Sequence, residues 1–120
     1  MNADKIKASE TKMSENKYLA VFTSVAQRVE AQDLARSILD QKLAACVQIS
    51  EIESLYRWQG EVQNDTEYRV MFKTDVNHYA QLEQAIRELH PYELPAIYAL
   101  PMEAVDPAFA AWVDENLGEI

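Results

Sequence analysis

Glycine is nearly missing: the chain of 120 residues contains two. That shortage excludes a glycine-rich phosphate cradle, which needs several glycines to bring backbone N–H groups against an anion. Cysteine is scarcer still. With Cys46 alone there is no internal disulfide and no Cys-x-x-Cys site, as suits a reducing compartment. Its small apolar neighbours, Ala44, Ala45 and Val47, predict a buried structural thiol. Basic residues are outnumbered by acidic ones, 11 to 20, which leaves a formal charge of −9. A surface of that sign repels phosphate backbones, so nucleic acid is not an expected partner. The same excess collects cations loosely, which is different from a metal site. No apolar run is long enough for a membrane span or a signal peptide, so no membrane partner is expected and the cytoplasm is the expected compartment. A histidine pair of the metalloprotease type and a nucleophile elbow are missing too, and the expectation is a protein that is not an enzyme.

What is present is apolar enough to fold. Hydrophobic residues make up 48% of the sequence, sufficient for one core and one domain. The first stretch differs: residues 1–17 are polar and lysine-containing and read as a loose leader to a domain over 18–120.

Tyr18 to Phe22 is a short apolar run, closed by Thr23-Ser24, and predicts a buried strand. From Arg28 to Ala44 the period becomes helical, with Ala31, Leu34, Ala35 and Ile38 on one face. Cys46 to Trp58 returns to strand character, but the apolar parity switches between Ile49 and Ile52, which predicts a β-bulge or sharp bend near Ser50-Glu51. Gln59-Gly60 supplies hairpin turn chemistry, and Glu61 to Thr74 forms the returning strand. A second helix is expected from about Val76 to His90, capped by Asp75, with Tyr79, Leu82, Ile86 and Leu89 as its stripe and Pro91 as its stop. Leu94 to Leu100 reads as the last strand, with Pro95 at a strand end or sheet edge. Asp106-Pro107 then starts a short helix that buries Phe109, Trp112 and Val113 and ends at Gly118.

The order βαββαβ plus a terminal helix predicts an α+β, ferredoxin-like sandwich, two helices on one face of a four-stranded antiparallel sheet. Its central hairpin is long, and the overhanging part carries Leu55, Tyr56, Trp58, Val62 and Tyr68. A two-stranded ribbon is marginal in water. The expected remedy is a second and third copy of the chain in a closed ring, with those five residues at the interface.

The segments Lys42 to Val47, Ser54 to Gly60, Lys73-Thr74 and His90 to Pro95 together resemble the CutA divalent-cation-tolerance family over Tyr18 to Leu117. The resemblance implies a ferredoxin-like subunit in an intertwined homotrimer, architectural kinship with the trimeric PII signalling proteins, and a role in tolerance of divalent cations, copper above all. It attaches no reaction to the chain. Copper sites proposed for the family draw on a cysteine near the end of the first strand. Thr23, followed by Ser24, stands at that position here, so the soft sulfur ligand is missing.

Two sets of residues are candidates for a site. His90 and Glu93 could ligate copper or another divalent cation, since imidazole suits Cu(II). The structural alternative makes His90 a cap on the last helical turn. Arg57, Trp58, Lys73, Tyr92 and Glu93 could line an inter-subunit cleft that takes a small anionic metabolite, or Lys73 or Arg57 could pair with Glu93 across subunits. The functional expectation is thus a trimeric metal-tolerance protein with weak or transient copper binding, and the alternative is a PII-like regulator.

Overall fold

The structure, a computed structural model, describes residues 17–120. The leader expected over residues 1–17 lies outside the described residues except for Lys17. The elements are β1 (Tyr18–Val25), α1 (Arg28–Asp40), β2 (Cys46–Trp58), β3 (Glu61–Asp75), α2 (Tyr79–Leu89), β4 (Tyr98–Pro101) and α3 (Pro107–Glu115). All strand pairs are antiparallel and the sheet order is β2-β3-β1-β4. This is the expected ferredoxin-like order, in which β1 and β3 occupy the centre.

Alternation explains the core. Val21, Thr23 and Val25 of β1 and Val70, Phe72 and Thr74 of β3 are buried on one face. Ala31, Leu34 and Ile38 of α1 and Leu82, Ala85 and Ile86 of α2 close over them. Burying each of the larger side chains contributes on the order of 2 kcal/mol. The opposite face is not covered by α1 or α2, with α3 reaching only its end at Tyr18 and Lys73, and Phe22 stacks on Tyr98 there with ring centroids 5.3 Å apart. Cys46 lies on that face at the start of β2, which is why it is only partly buried and not the enclosed thiol its neighbours suggested.

The predicted bulge is not there. The β2–β3 register runs unbroken from Cys46↔Lys73 to Trp58↔Glu61, through Ser50↔Arg69 and Glu51↔Tyr68. The parity switch has another cause. Val47 and Ile49 pack against the core under the helices, whereas Ile52 belongs to the stretch beyond them. As the strand leaves the helices, its apolar side moves to the face away from α1 and α2. Because β1 pairs with β3 only from Tyr68 to Asp75, the seven pairs from Ile52↔Glu67 to Trp58↔Glu61 form a free ribbon. Gln59 and Gly60 turn it with φ of 51° and 82°, two left-handed residues in succession, as a tight primed turn requires.

β1 runs on to Val25, past the expected close at Thr23-Ser24, and three further boundaries differ. α1 ends at Asp40 because Lys42 takes a left-handed conformation (φ 58°) and redirects the chain. α2 begins at Tyr79, since Asp75 uses its carboxylate to hold the backbone N–H of His78 (2.9 Å) in a turn before the helix. β4 begins at Tyr98: Pro95 has no N–H to donate, and pairing starts only beyond it. The caps of α3 agree with expectation, with Asp106 accepting from the N–H of Phe109 at 3.0 Å and proline following. Gly118 is no helix stop; its N–H donates to the Lys42 carbonyl at 2.9 Å, and a Cβ there would meet the Lys42 Cβ at 3.1 Å. Among the described residues no helix is long and apolar enough to cross a membrane.

Candidate functional site

Pro91 disfavours helical geometry at His90, so the chain leaves α2 extended there (ψ 135°) and crosses the end of the sheet. The His90 ring is thereby buried against β1. Its Nε2 lies 2.9 Å from the Ser24 carbonyl oxygen and 3.0 Å from Thr23 Oγ1, and its Nδ1 accepts the Tyr92 N–H at 3.1 Å. An Nδ1 that accepts has no proton, so Nε2–H donates toward Ser24. Burial holds the imidazole pKa below its usual value, against the smaller pull of the Ser24 carbonyl and of Glu30 and Glu67. His90 is a neutral bolt between the α2 exit and β1. It does not cap the last carbonyls of α2, because it reaches to the sheet instead. The position where the resemblance leads one to expect a cysteine, Thr23, faces this ring directly, with a hydroxyl in place of a thiol.

Beyond His90, Tyr92 donates its hydroxyl to Glu67 Oε2 at 2.7 Å, and burial together with that carboxylate pushes the phenol pKa well up. On the ribbon, the Tyr56 hydroxyl donates to Asp65, which raises its pKa likewise. The register puts Tyr56, Trp58, Asp65 and Glu67 on one face of the ribbon, together with Ser24 of β1. The segment 92–96 runs alongside. Together they enclose a groove of about 420 Å³ lined by Ser24, Tyr56, Trp58, Glu67, Tyr92, Glu93, Leu94 and Ala96.

Of the five residues expected in a cleft, the chain brings Trp58, Tyr92 and Glu93 together. Arg57 alternates to the other face of the ribbon. Lys73 pairs with Cys46 and Ala20 near the far end of the sheet, its Nζ 5.4 Å from the Phe109 ring centre. Within one chain neither cation lines the groove, whose charged lining is Glu67 and Glu93. Nor does His90 join Glu93 as a ligand pair: both imidazole nitrogens are engaged in hydrogen bonds, and Glu93 lies in the groove. Among the described residues, no three His, Cys, Asp or Glu side chains gather to hold an ion. The ribbon residues also divide: Tyr56 and Trp58 face the groove side, while Leu55, Val62 and Tyr68 take the opposite face, where Arg28 sits over Tyr68 at 4.9 Å.

Glu67 was absent from the expected set although a signal for it existed. A two-residue turn at Gln59-Gly60 makes odd positions of β3 face the even aromatics of β2. The contribution of Leu94 and Ala96 had no local signal, since it depends on where Pro91 sends the chain.

At the other end of α2, His78 is buried between two acceptors. Its Nδ1 is 2.6 Å from Asp75 Oδ1 and its Nε2 is 2.6 Å from the Gly118 carbonyl. Both nitrogens must donate, which makes it an imidazolium. Burial alone would lower its pKa, but Asp75 and the Gly118 carbonyl reverse that, and the net direction is upward.

Comparison with known proteins gives a consistent result. The family model described as CutA1 divalent ion tolerance protein matches residues 19–116. A divalent-cation tolerance protein CutA from Thermus thermophilus is 36% identical over 99 residues, covering 82% of this chain and 96% of that protein. Protein CutA from Mus musculus is 35% identical over 97 residues, covering 80% of this chain but only 55% of the mouse protein. Among solved structures, CutA from Synechococcus elongatus PCC7942 superposes with a TM-score of 0.84 at 36% identity, covering 89% of this chain and 99% of that one.

Proposed function

Because this chain belongs to the CutA1 divalent ion tolerance family, we propose that it is a homotrimeric, non-enzymatic protein of divalent metal-ion tolerance, copper included, which binds its ion weakly or transiently. The single observation that carries weak binding is the state of His90. A ring whose Nδ1 accepts and whose Nε2 donates must break one of those bonds before it can ligate copper. The oxygens facing it, those of Thr23 and Ser24, are uncharged and offer no soft donor. The residues present therefore do not form a ready copper site within one chain.

Trimer formation is supported by what the chain leaves uncovered. Leu55, Trp58 and Val62 of the ribbon are each more than half exposed, at 64%, 54% and 61%, and Tyr98 and Leu100 add to the side away from α1 and α2. A single Cys46 suits a reducing compartment, which supports the cytoplasm as the compartment in this reading. The alternative of a PII-like regulator gains nothing from the relatives above, and the carboxylates of the groove oppose an anionic metabolite.

Calorimetric titration of Cu(II) at moderate salt tests the metal reading. The native chain should give weak heat, and Thr23→Cys, which puts a thiol beside His90, should tighten binding by tenfold or more. Tight native binding, near one ion per chain and abolished in His90→Ala, would overturn the weak-binding reading.

A further inference from the structure

The C-terminal segment, residues 116–120, is held against the start of α2 by few groups. The Gly118 N–H donates to the Lys42 carbonyl at 2.9 Å, and the Gly118 carbonyl lies 2.6 Å from His78 Nε2. The N–H groups of Asn116 and Leu117 only return to α3, and Glu119 and Ile120 are exposed. On its other nitrogen the His78 ring meets Asp75, whose Oδ1 lies 2.6 Å from Nδ1 and also accepts the His78 backbone N–H at 2.9 Å. Two acceptors demand two ring protons. Removing one proton does not affect the two contacts equally. A neutral ring protonated on Nε2 would turn a lone pair to the Asp75 carboxylate, so the neutral ring keeps its proton on Nδ1. Nε2 then points a lone pair at the Gly118 oxygen across 2.6 Å, and an attraction becomes a repulsion. Asp75, at the end of β3, is the charged group that faces the ring. Lys17 feels both Asp75 and Asp114 and pairs with Asp114 of α3 at 3.3 Å, while Lys42 flanks Gly118 with its side-chain stem. Among the described residues no second donor reaches the Gly118 carbonyl to replace the imidazolium.

We propose that His78 is a pH-operated latch: its imidazolium holds residues 116–120 on the body of the chain, and loss of the Nε2 proton frees that segment while the rest of the fold stays intact. The latch rests neither on the metal reading nor on the assembly, because every contact it uses lies within one chain, where the ring is already only 4% exposed. Burial lowers the pKa of the ring, but Asp75 and the Gly118 carbonyl outweigh it and the net shift is upward. The latch is therefore closed below pH 6.5 and opens as pH rises through the folded value. Two glycines make the test direct: a full chain labelled with carbon-13 at glycine Cα reports Gly118 beside Gly60, which sits at the ribbon turn as a reference. Carbon relaxation followed from pH 5.5 to 10 should show the Gly118 order parameter fall from about 0.85 to below about 0.6 on the alkaline side, with Gly60 unchanged. Asp75→Asn, which takes the carboxylate from Nδ1, should move the midpoint toward acid by about one pH unit or more. In His78→Gln the Gly118 order parameter should no longer depend on pH. Circular dichroism confirms that each variant is folded. A native Gly118 that stays ordered up to pH 10, or a fall that persists unaltered in both variants, overturns the latch. A fall that Gly60 and the dichroism signal share is unfolding of the whole chain and overturns it as well.

Discussion

His78 and His90 are the only histidines in the chain, and their surroundings drive them to opposite protonation states. His78 meets two acceptors and is charged; its folded pKa is raised above the ordinary 6.5. The stability it contributes is therefore fully present below pH 6.5 and is lost as pH rises through the folded value. His90 meets one donor and one acceptor and is neutral; its folded pKa is lowered. Its contribution is present above pH 6.5 and is lost as pH falls through the folded value. Urea midpoints measured from pH 5 to 9 at fixed protein concentration should thus decline on both sides of the optimum. His78→Gln should flatten the alkaline limb and His90→Gln the acid limb, each lowering peak stability by about 1–3 kcal/mol through lost buried hydrogen bonds. Parallel limbs in all three proteins would show that neither ring governs the profile. The sequence showed that these rings exist and that one precedes a proline. It did not show their partners, which lie 40 residues away at Gly118 and 66 residues away at Ser24.

The elements hold their ends by local chemistry. Asp106 caps α3 and Pro107 fits its first turn, so Asp106→Ala should cost about 1 kcal/mol, readable as a shift in the denaturant midpoint. The cap has consequences beyond the helix itself. α3 presents Asp114 to Lys17 (3.3 Å) and to the Tyr18 hydroxyl (3.0 Å), and the segment after it supplies the Gly118 carbonyl to His78. The exposed Lys17–Asp114 pair adds little by itself. Loosening the cap should therefore also weaken the His78 contact, and an Asp106→Ala chain should show a shallower alkaline limb than the native one. An unchanged limb would mean that Gly118 is held by Lys42 alone.

At the scale of the whole molecule, the ribbon is the feature without local support. Seven strand pairs extend beyond β1 with apolar side chains on both faces. In the proposed trimer the native protein should sediment at three times the chain mass of 13.7 kDa at micromolar concentration. Val62→Lys together with Leu55→Lys places charge on one face of the ribbon and should shift that mass toward the monomer while far-ultraviolet dichroism changes little. A native chain that already sediments at the single-chain mass would refute the assembly.

The order of elements, the hairpin turn, the α3 cap and the apolar faces were legible in the residues alone, because each follows from side chains within a few positions of one another. The family was legible there too, through segments spread from Lys42 to Pro95. Which side chains meet around the groove and around His90 depends on the folded chain. The parity switch in β2 looked locally like a bulge, yet it marks the point where the strand passes from beneath the helices. Lys73 and Trp58 were expected in one cleft between subunits, and within one chain the register separates them along the sheet and leaves carboxylates beside Trp58. His90 looked like a ligand or a cap, yet Pro91 turns it toward β1, where the Ser24 carbonyl and the Tyr92 N–H engage its two nitrogens. These outcomes depend on contacts between residues distant in the chain, where backbone direction and strand register, rather than residue type, fix which groups meet.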